Sequence, residues 1–239
     1  MDLLWSGLAE SWNLLTADDS EIFGIALLTI QVSSLATLIS LAVGIPLGTF
    51  LALGSFPGRR VAIGTVNAGM GLPPVVVGLV VAILLWRSGI LGLLGLIYTP
   101  AAIVIAQVII ALPVVTGLTV AAMQQIDPGL RLQILARGAS RLQSLWLLVR
   151  EARLPLLAAA MAGFGAAISE VGASLMVGGN IAGQTRVLTT ATVLEVSKGN
   201  FETAIALAVL LLLLIGAVNA VMTRTQQRAF RQPYVSAAR

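Results

Sequence analysis

Five long stretches without a charged residue dominate this sequence and limit the folds open to it. They cover residues 22–58, 61–86, 88–126, 154–169 and 203–223, and the fourth continues past Glu170 into another apolar run. A membrane-spanning helix needs about 20 mainly apolar residues. Only 10% of the residues are charged, whereas a typical soluble domain carries about 25%. The chain is therefore predicted to be an integral membrane protein.

Turn signals inside these stretches set the boundaries of five predicted spans. The segment 54–58, Gly-Ser-Phe-Pro-Gly, ends the first stretch, and a glycine-rich loop over 89–99 precedes the third span. The predicted spans are about 23–53, 61–86, 100–123, 154–176 and 203–223. The fold class predicted is all-α integral membrane, with five transmembrane helices in a single domain over 1–239.

Helix breakers occur in three of the spans: Pro46 in the first, Pro73 and Pro74 in the second, and Pro113 in the third. Interrupted helices are tolerated in a membrane where they pack closely or line a polar path. Most of the 24 glycines are expected to serve close helix packing. No internal repeat is visible, and five spans do not divide into two inverted halves, which argues against many secondary-transporter folds.

The distribution of charge predicts the orientation. With the N-terminus outside, the inner segments hold 11 of the 14 basic residues, namely Arg59, Arg60, Arg131, Arg137, Arg141, Arg150, Arg153, Arg224, Arg228, Arg231 and Arg239. The outer segments hold 7 of the 10 acidic residues, namely Asp2, Glu10, Asp18, Asp19, Glu21, Glu195 and Glu202. Lys and Arg favour the cytoplasmic side. The prediction is N-terminus outside and C-terminus cytoplasmic, with a cytoplasmic tail over 224–239. Topology accounts for the net charge of +4, so no nucleic-acid partner is inferred.

The N-terminal segment 1–21 does not resemble a secretory signal, because it has no basic start and carries Asp2 and Glu10. One helical face over 1–16 collects Leu4, Trp5, Leu8, Trp12 and Leu15. This pattern predicts a short interfacial helix. The alternative is a disordered acidic tail.

The sequence contains no Cys and no His. This excludes disulfides, Cys/His zinc sites, haem ligation by His and every nucleophile–histidine pair. No cofactor, metal site or catalytic residue is predicted.

The inner loop over 124–153 is more than a linker. Apolar residues recur in it at helical spacing between arginines, and Asp127 followed by Pro128 is typical of a helix start. An amphipathic helical element about 25 residues long is predicted here. It is interpreted as a docking surface, with a helix lying on anionic lipid as the alternative.

This loop resembles the coupling loop of permeases from ATP-binding-cassette importers. The Gly138-Ala139-Ser140 core and the closing Leu154-Pro155 match the family pattern. Leu132, Gln133 and Ile134 stand where the pattern has Glu-Ala-Ala, and Leu154 follows Gly138 by 16 residues rather than 12. Four extra residues add roughly one helical turn. The resemblance implies a type I importer permease whose ATPase contacts are Leu132, Arg137, Gly138, Ala139, Ser140, Leu154 and Pro155.

Two further segments are similar to oxyanion permeases. Residues 168–195 look like the matching stretch of molybdate and tungstate permeases, and 69–79 look more like the tungstate branch. The resemblance implies a tungstate permease, with molybdate or sulfate as alternatives. It also implies a bacterial or archaeal cytoplasmic membrane, a partner ATPase in two copies, and an oxyanion-binding protein outside. The chain itself is expected not to be an enzyme.

A partial phosphate-binding motif is present but incomplete. Gly178, Gly183 and Thr185 match the P-loop spacing, whereas Gln184 replaces the lysine. The predicted topology also puts this segment on the outer side, so ATP hydrolysis is assigned to a partner.

Glu170 is the only charged residue inside a predicted span. Such residues are costly and are functional candidates. It is expected to accept hydrogen bonds from backbone freed where the helix is interrupted, with a protonated structural carboxyl as the alternative. The predicted translocation path and gate comprise Gly71, Pro73, Pro74, Glu170, Gly172, Ser174, Gly178, Gly179 and Asn180.

Arg186 is the predicted outer contact for the anion, together with Thr185, Thr189 and Thr190. The alternative is a solvated loop arginine. One chain has too few spans to surround a path, so a homodimer with two coupling loops is predicted. The rival functions are a secondary transporter, which would need more ionisable residues in the spans, and a membrane scaffold.

Overall fold

The computed structural model describes residues 5–7, 9–11 and 20–231, and this part of the chain is helical with connecting turns and no strand. The helices are α1 Ser20–Leu53, α2 Arg59–Met70, α3 Pro74–Leu85, α4 Pro100–Gln124, α5 Pro128–Ala136, α6 Arg141–Glu151, α7 Arg153–Ile168, α8 Gly172–Gly178, α9 Leu188–Ser197 and α10 Phe201–Arg231. Residues 5–7 and 9–11 are helical, and the rest of the predicted interfacial helix lies outside the described residues, as does the tail over 232–239.

Three helices are long and apolar enough to cross a membrane: α1, α4 and the part of α10 up to Arg224. The pairs α2–α3 and α7–α8 also qualify if each bent pair is one span. The chain is therefore an all-α protein with three to five candidate spans. Pro46 and Pro113 lie inside helices that continue through them, so these two residues do not interrupt the helix.

The second predicted span is broken at its two prolines. α2 and α3 meet at 100°, and Gly71 ends α2. Pro73 then has extended backbone angles, and Pro74 is the first residue of α3. A proline disfavours helical geometry in the residue before it and cannot donate a backbone hydrogen bond. The Pro-Pro pair therefore ends one helix and starts the next.

The fourth predicted span is also broken. α7 and α8 meet at 57°, and the break covers residues 169–171, with Gly172 at the start of α8. Gly179 ends α8 in the left-handed conformation at φ 71°. Residues 188–197 form the further short helix α9, in a segment predicted only to lie on the outer side.

The core is built on close contact between α1, α4 and α7. A Cβ on Gly44 would lie 2.9 Å from Val115, and one on Gly48 would lie 2.6 Å from Thr119. Going from Gly44 to Gly48 along α1 moves the contact from Val115 to Thr119 along α4, so the two helices run parallel. A Cβ on Gly163 of α7 would lie 2.6 Å from Val115 on α4. Small residues thus let three apolar helices approach each other, as is usual in membranes.

The inner loop departs from its prediction. The single helical element expected over about 25 residues is two helices, α5 and α6, separated at Gly138, whose φ is 80°. Side chains rarely adopt this left-handed backbone, whereas glycine does so readily. Asp127 caps α5 as predicted, because its Oδ1 accepts the N–H of Gly129 at 2.8 Å. The last helix also differs, because α10 continues past the predicted span to Arg231.

Candidate functional site

The two broken spans meet at their second halves, α3 and α8. A Cβ on Gly78 would lie 2.5 Å from the Cα of Ala173, and a Cβ on Gly172 would lie 2.7 Å from Val75. A side chain at Gly78 would require the backbone of α8 to move, and one at Gly172 would require the Val75 side chain to move. The crossing therefore brings the break at Gly71, Pro73 and Pro74 next to the break before Gly172. Gly78 was not among the residues predicted from sequence.

Glu170 lies inside the second break and is 6% exposed. Its Oε1 accepts the backbone N–H of Ala173 at 2.7 Å, and its backbone carbonyl accepts the hydroxyl of Thr189 at 3.1 Å. The first N–H groups of a helix have no partner within the helix, and a carboxylate near them is favoured by hydrogen bonding and by the helix dipole. The carboxylate thus caps α8, and the backbone carbonyl of Glu170 ties the break to α9.

The remaining residues of the predicted gate lie along α8 and beyond it. Ser174 is 1% exposed, and its hydroxyl has no hydrogen-bond partner within the described part of the chain. Gly178 packs against Ile103, and Gly179 packs against Tyr98. Asn180 has φ 51° and donates to the carbonyl of Thr190 at 3.4 Å. The seven residues of α8 span about 10 Å, so the predicted set divides into two places, one at each end of this helix.

The three threonines of the predicted anion contact are buried and bonded within the chain. Thr185 donates to the carbonyl of Gly178 at 2.6 Å and accepts the N–H of Ile181. Thr190 donates to the carbonyl of Val187, and Thr189 donates to Glu170 as described above. The hydroxyl groups of Thr185 and Thr190 thus bond within the turn between α8 and α9, and that of Thr189 bonds to the break before α8. The partial P-loop pattern is likewise part of this turn.

Arg186 lies at the same end of the bundle and is paired. Its Nη1 is 3.3 Å from Oε1 of Glu21 at the start of α1, and the side chains are 19% and 59% exposed. Nearby, a hydrogen bond from Lys198, helped by one from Asn200, lowers the pKa of Glu195. This end of the bundle therefore combines cations and carboxylates that already neutralise one another.

The opposite end of the bundle carries the α5–α6 hairpin, defined as residues 128–151. Ser140 starts α6 with a reciprocal cap: its hydroxyl accepts the N–H of Gln143, whose side chain accepts the N–H of Ser140. Arg137 is exposed beside Gly138, and a Cβ on Gly138 would meet nothing within 4 Å. Large apolar side chains are also exposed on the hairpin, namely Leu132 (67%), Leu135 (46%), Leu142 (78%), Leu145 (40%) and Trp146 (60%).

The other predicted coupling residues differ in exposure. Ala139 and Leu154 are half-buried, whereas Pro155 is exposed on the first turn of α7. The guanidinium of Arg150 lies 5.3 Å from the ring centre of Trp146, within the range of a cation–π contact. The predicted contacts therefore lie on one continuous stretch of chain at this end of the bundle.

Arg59 has a structural role that sequence reasoning missed. Its Nε and Nη2 donate to the carbonyls of Leu51 and Ala52, at 2.6 and 2.9 Å. These carbonyls belong to the last turn of α1, which lacks partners within the helix, and a cation is favoured there by the helix dipole. Arg59 thus fixes the start of α2 to the end of α1. An arginine six residues after the end of a predicted span was the available signal.

The sequence is similar to a family of known transport proteins along most of its length. The family model described as "Binding-protein-dependent transport system inner membrane component" matches residues 44–232. A probable anion ABC transporter permease protein of Haloferax volcanii is 42% identical over 209 residues, which cover 85% of this chain and 90% of that protein. The tungstate uptake system permease protein TupB of Peptoclostridium acidaminophilum is 39% identical over 229 residues, 95% of this chain and all of that protein. Its counterpart from Campylobacter jejuni is 32% identical over 219 residues, 92% of each chain.

Proposed function

The chain belongs to the family of inner membrane components of binding-protein-dependent transport systems, and we propose that it forms the path by which tungstate enters the cell. As a member of this family it is a membrane-embedded permease subunit rather than an enzyme. Energy comes from a separate ATPase, and the anion is delivered by a binding protein. The resemblance found in the sequence at residues 168–195 and 69–79 is thereby confirmed at the level of the family.

The choice of tungstate depends on one observation. Permeases named for tungstate uptake are similar to this chain along nearly its whole length. The relative from Haloferax volcanii is named only for an anion. Molybdate and sulfate are therefore retained as competitors to be measured against tungstate.

We infer the orientation in the membrane from the two ends of the bundle. Glu21, Glu195 and Glu202 lie at the end that contains Arg186, whereas Arg59 and the arginines of the α5–α6 hairpin lie at the other end. The excess of arginine favours the cytoplasmic side for the hairpin end. The N-terminus is then outside, and α1, α2–α3, α4, α7–α8 and α10 are the five spans.

A homodimer is supported by the surface of α2. None of its residues is buried, although Met70 and Val66 pack toward Gly117 in the second half of α4. The exposed face carries the hydroxyl group of Thr65, with Val61 one turn before it and Ala68 one turn after it. Polar side chains at membrane depth face protein or a water-filled path rather than lipid. We assign this face to the path between two copies of the chain.

The α5–α6 hairpin is the proposed docking site of the ATPase. Its exposed leucines and Trp146 stand next to Arg137 and Arg141, and a surface with apolar anchors surrounded by charges is typical of a protein interface. A helix lying flat on lipid would place its apolar side chains along one face, whereas Gly138 divides this segment into two helices. The division favours a protein partner over the lipid surface.

Movement of the path would pass through the two broken spans. The breaks at 71–73 and 169–171 lie against each other, so a displacement of α7 at the hairpin end would shift α8 against α3. Packed interfaces of this kind move as discrete arrangements. Glu170 would hold α8 in register, and its buried position suits a structural part of the gate rather than an anion ligand.

The experiment is uptake by a reconstituted complex. The chain is assembled in vesicles with its partner ATPase and binding protein, and internal tungsten is measured by mass spectrometry. We expect ATP-dependent accumulation of tungsten that an equal concentration of molybdate or sulfate lowers only slightly. A matched complex whose ATPase lacks its P-loop lysine should accumulate none. Uptake that follows an ion gradient without ATP would overturn the proposal in favour of a secondary transporter.

A further inference from the structure

The loop between α3 and α4 exposes a large apolar surface, and neither the proposed path nor the proposed ATPase contact accounts for it. It is defined here as the 88–97 loop, with the sequence Ser-Gly-Ile-Leu-Gly-Leu-Leu-Gly-Leu-Ile. Leu93 is fully exposed, Ile90 is 85% exposed and Leu94 is 59% exposed, whereas Leu96 and Ile97 pack on the core. No residue of the loop is charged. An exposed patch of this kind indicates a contact with another apolar partner.

Half of the loop's ten backbone N–H groups, those of residues 89, 91, 92, 94 and 95, donate to main-chain carbonyls. The N–H groups of Tyr98 and Thr99, just after the loop, do the same. Successive bonds join Gly89 to Trp86, Gly92 to Gly89 and Gly95 to Gly92. A loop in water does not need such pairing, because water satisfies free backbone groups. In hydrocarbon every unpaired group carries a large cost.

The glycines make this winding possible. They recur at every third position, and a Cβ on Gly89 or Gly92 would collide with the carbonyl oxygens of Ile83 or Trp86. Gly95 has φ 61°, a left-handed backbone that glycine adopts without strain. The glycines thus allow the backbone to form successive tight turns, with the side chains of Ile90, Leu93 and Leu94 on the outside.

The position of the loop relative to Trp86 and Tyr98 indicates its depth. These two rings meet edge to face at 6.1 Å, and such amphipathic rings are enriched at the level of the lipid headgroups. The N–H of Leu91 donates to the carbonyl of Leu84, so the loop folds back beside the last turn of α3. Arg87 is exposed next to Trp86, where it can reach a phosphate. Ile90 and Leu91 are therefore level with the apolar end of the helix.

We propose that the 88–97 loop is a lipid anchor that inserts Ile90, Leu93 and Leu94 among the acyl chains of the adjacent leaflet. The partner is lipid rather than protein, because the loop has no charge, is bordered by the Trp86 and Tyr98 rings, and pairs half of its N–H groups internally. The loop would hold the outer end of α3, a helix of 12 residues that spans only about 18 Å, at a fixed height in the membrane. The inference does not depend on which anion is transported.

The test uses single cysteines, since the chain has none of its own. Leu93→Cys is labelled with bimane in the full chain and reconstituted in phosphatidylcholine–phosphatidylglycerol vesicles. Acyl chains carrying bromine are expected to quench this label several-fold more than iodide in the buffer does. The control is Gln184→Cys, an exposed residue at the same end of the bundle, which should show the opposite preference.

Three outcomes would overturn the proposal. Stronger quenching by iodide at Leu93→Cys would place the loop in water. Protection from iodide that requires added binding protein would make it a protein docking surface. Protection from both quenchers, with disulfide formation between two Leu93→Cys chains, would place it between copies. If Leu93→Cys does not assemble, Ile90→Cys reports on the same surface. None of these results depends on uptake, so a failure here is distinguishable from a failure of the transport proposal.

Discussion

The carboxylate of Glu170 accepts the backbone N–H of Ala173 at 2.7 Å, inside the break between α7 and α8. The bond satisfies a donor that the interrupted helix leaves without a partner. It also gives a structural reason for a carboxyl group that is costly at this depth. Because the carboxyl group accepts a hydrogen bond, its role as an acceptor can be tested separately from its charge.

Replacement of Glu170 should separate hydrogen bonding from charge. Glu170→Gln keeps an oxygen that can accept the N–H of Ala173, so we expect near-normal assembly and partial transport. Glu170→Ala leaves that N–H unpaired, at a cost of about 1–3 kcal/mol, and should lower both the melting temperature and uptake. Thermal melting of the purified protein and vesicle uptake measure the two effects.

The control for these variants is Glu202→Ala, which removes an exposed carboxylate from the first turn of α10 and should melt nearly as the parent does. If Glu170→Gln and Glu170→Ala lose transport equally while both keep the parent's stability, Glu170 acts as a proton relay. The capping role would then be wrong.

The crossing of α3 and α8 should not accept even one methyl group. The Cβ of Gly78→Ala would lie 2.5 Å from the Cα of Ala173, and overpacking of this kind costs about 1–3 kcal/mol. Gly216→Ala is the matched control, because its Cβ would meet nothing within 4 Å and alanine favours helices. We expect a lower melting temperature for the first variant and an unchanged or higher one for the second. Equal melting of the two would show that the crossing is looser than described.

The proposed topology can be checked by labelling, since no native thiol interferes. Ser140→Cys in the α5–α6 hairpin should react only with maleimides that enter the cytoplasm. Asn200→Cys, in the exposed turn between α9 and α10, should react with impermeant reagents added outside. Labelling of Ser140→Cys in intact cells by an impermeant reagent would reverse the orientation and remove the coupling assignment with it.

Arg186 is the remaining candidate for an outer anion contact, since the neighbouring threonine hydroxyls are bonded within the chain. Arg186→Gln should reduce the uptake rate several-fold at saturating binding protein. Its ion pair with Glu21 is partly exposed, and such pairs contribute about 0–1 kcal/mol, so stability should change little. Lys198→Gln removes another cation from the same end and should transport normally. Equal rates for the two variants would make Arg186 a surface arginine without a role in transport.

Much of the architecture could be predicted from the sequence, because lipid imposes simple rules on helix length and charge. The apolar stretches, the break at Pro73 and Pro74 and the cap at Asp127 each depend on residues close together in the chain. The break at 169–171 was harder to place, because the glycine at 172 permits an interruption without requiring one. The presence of Pro46 did not by itself predict whether its helix breaks. The helix α1 continues through it, because neighbouring helices support α1 on both sides of this residue.

Contacts between distant segments could not be predicted from the sequence. The hydroxyl of Thr189, for example, donates to the backbone carbonyl of Glu170, 19 residues earlier in the chain. Gly78 looked like one of many packing glycines until α8 lay across it. The division of the inner loop into two helices was not predicted, because apolar residues recur at helical spacing on both sides of Gly138. A single residue in the left-handed conformation does not change that spacing.

Gly138 gives the sharpest test of the coupling proposal, provided that strain and contact are separated. Its φ of 80° makes most side chains unfavourable there by about 1–3 kcal/mol, whereas Asn tolerates the left-handed conformation better than other residues. A Cβ there would meet nothing within 4 Å in the chain, so we expect a large side chain to interfere with a docked partner rather than with the chain itself. Gly138→Asn should therefore assemble and retain most transport.

Gly138→Trp should also fold and reach the membrane, but should block transport and lower the amount of ATPase that copurifies with the chain. Copurification and uptake are measured for both variants beside the parent. If Gly138→Trp transports as well as Gly138→Asn, the turn between α5 and α6 does not face the ATPase, whatever the fate of the tungstate assignment.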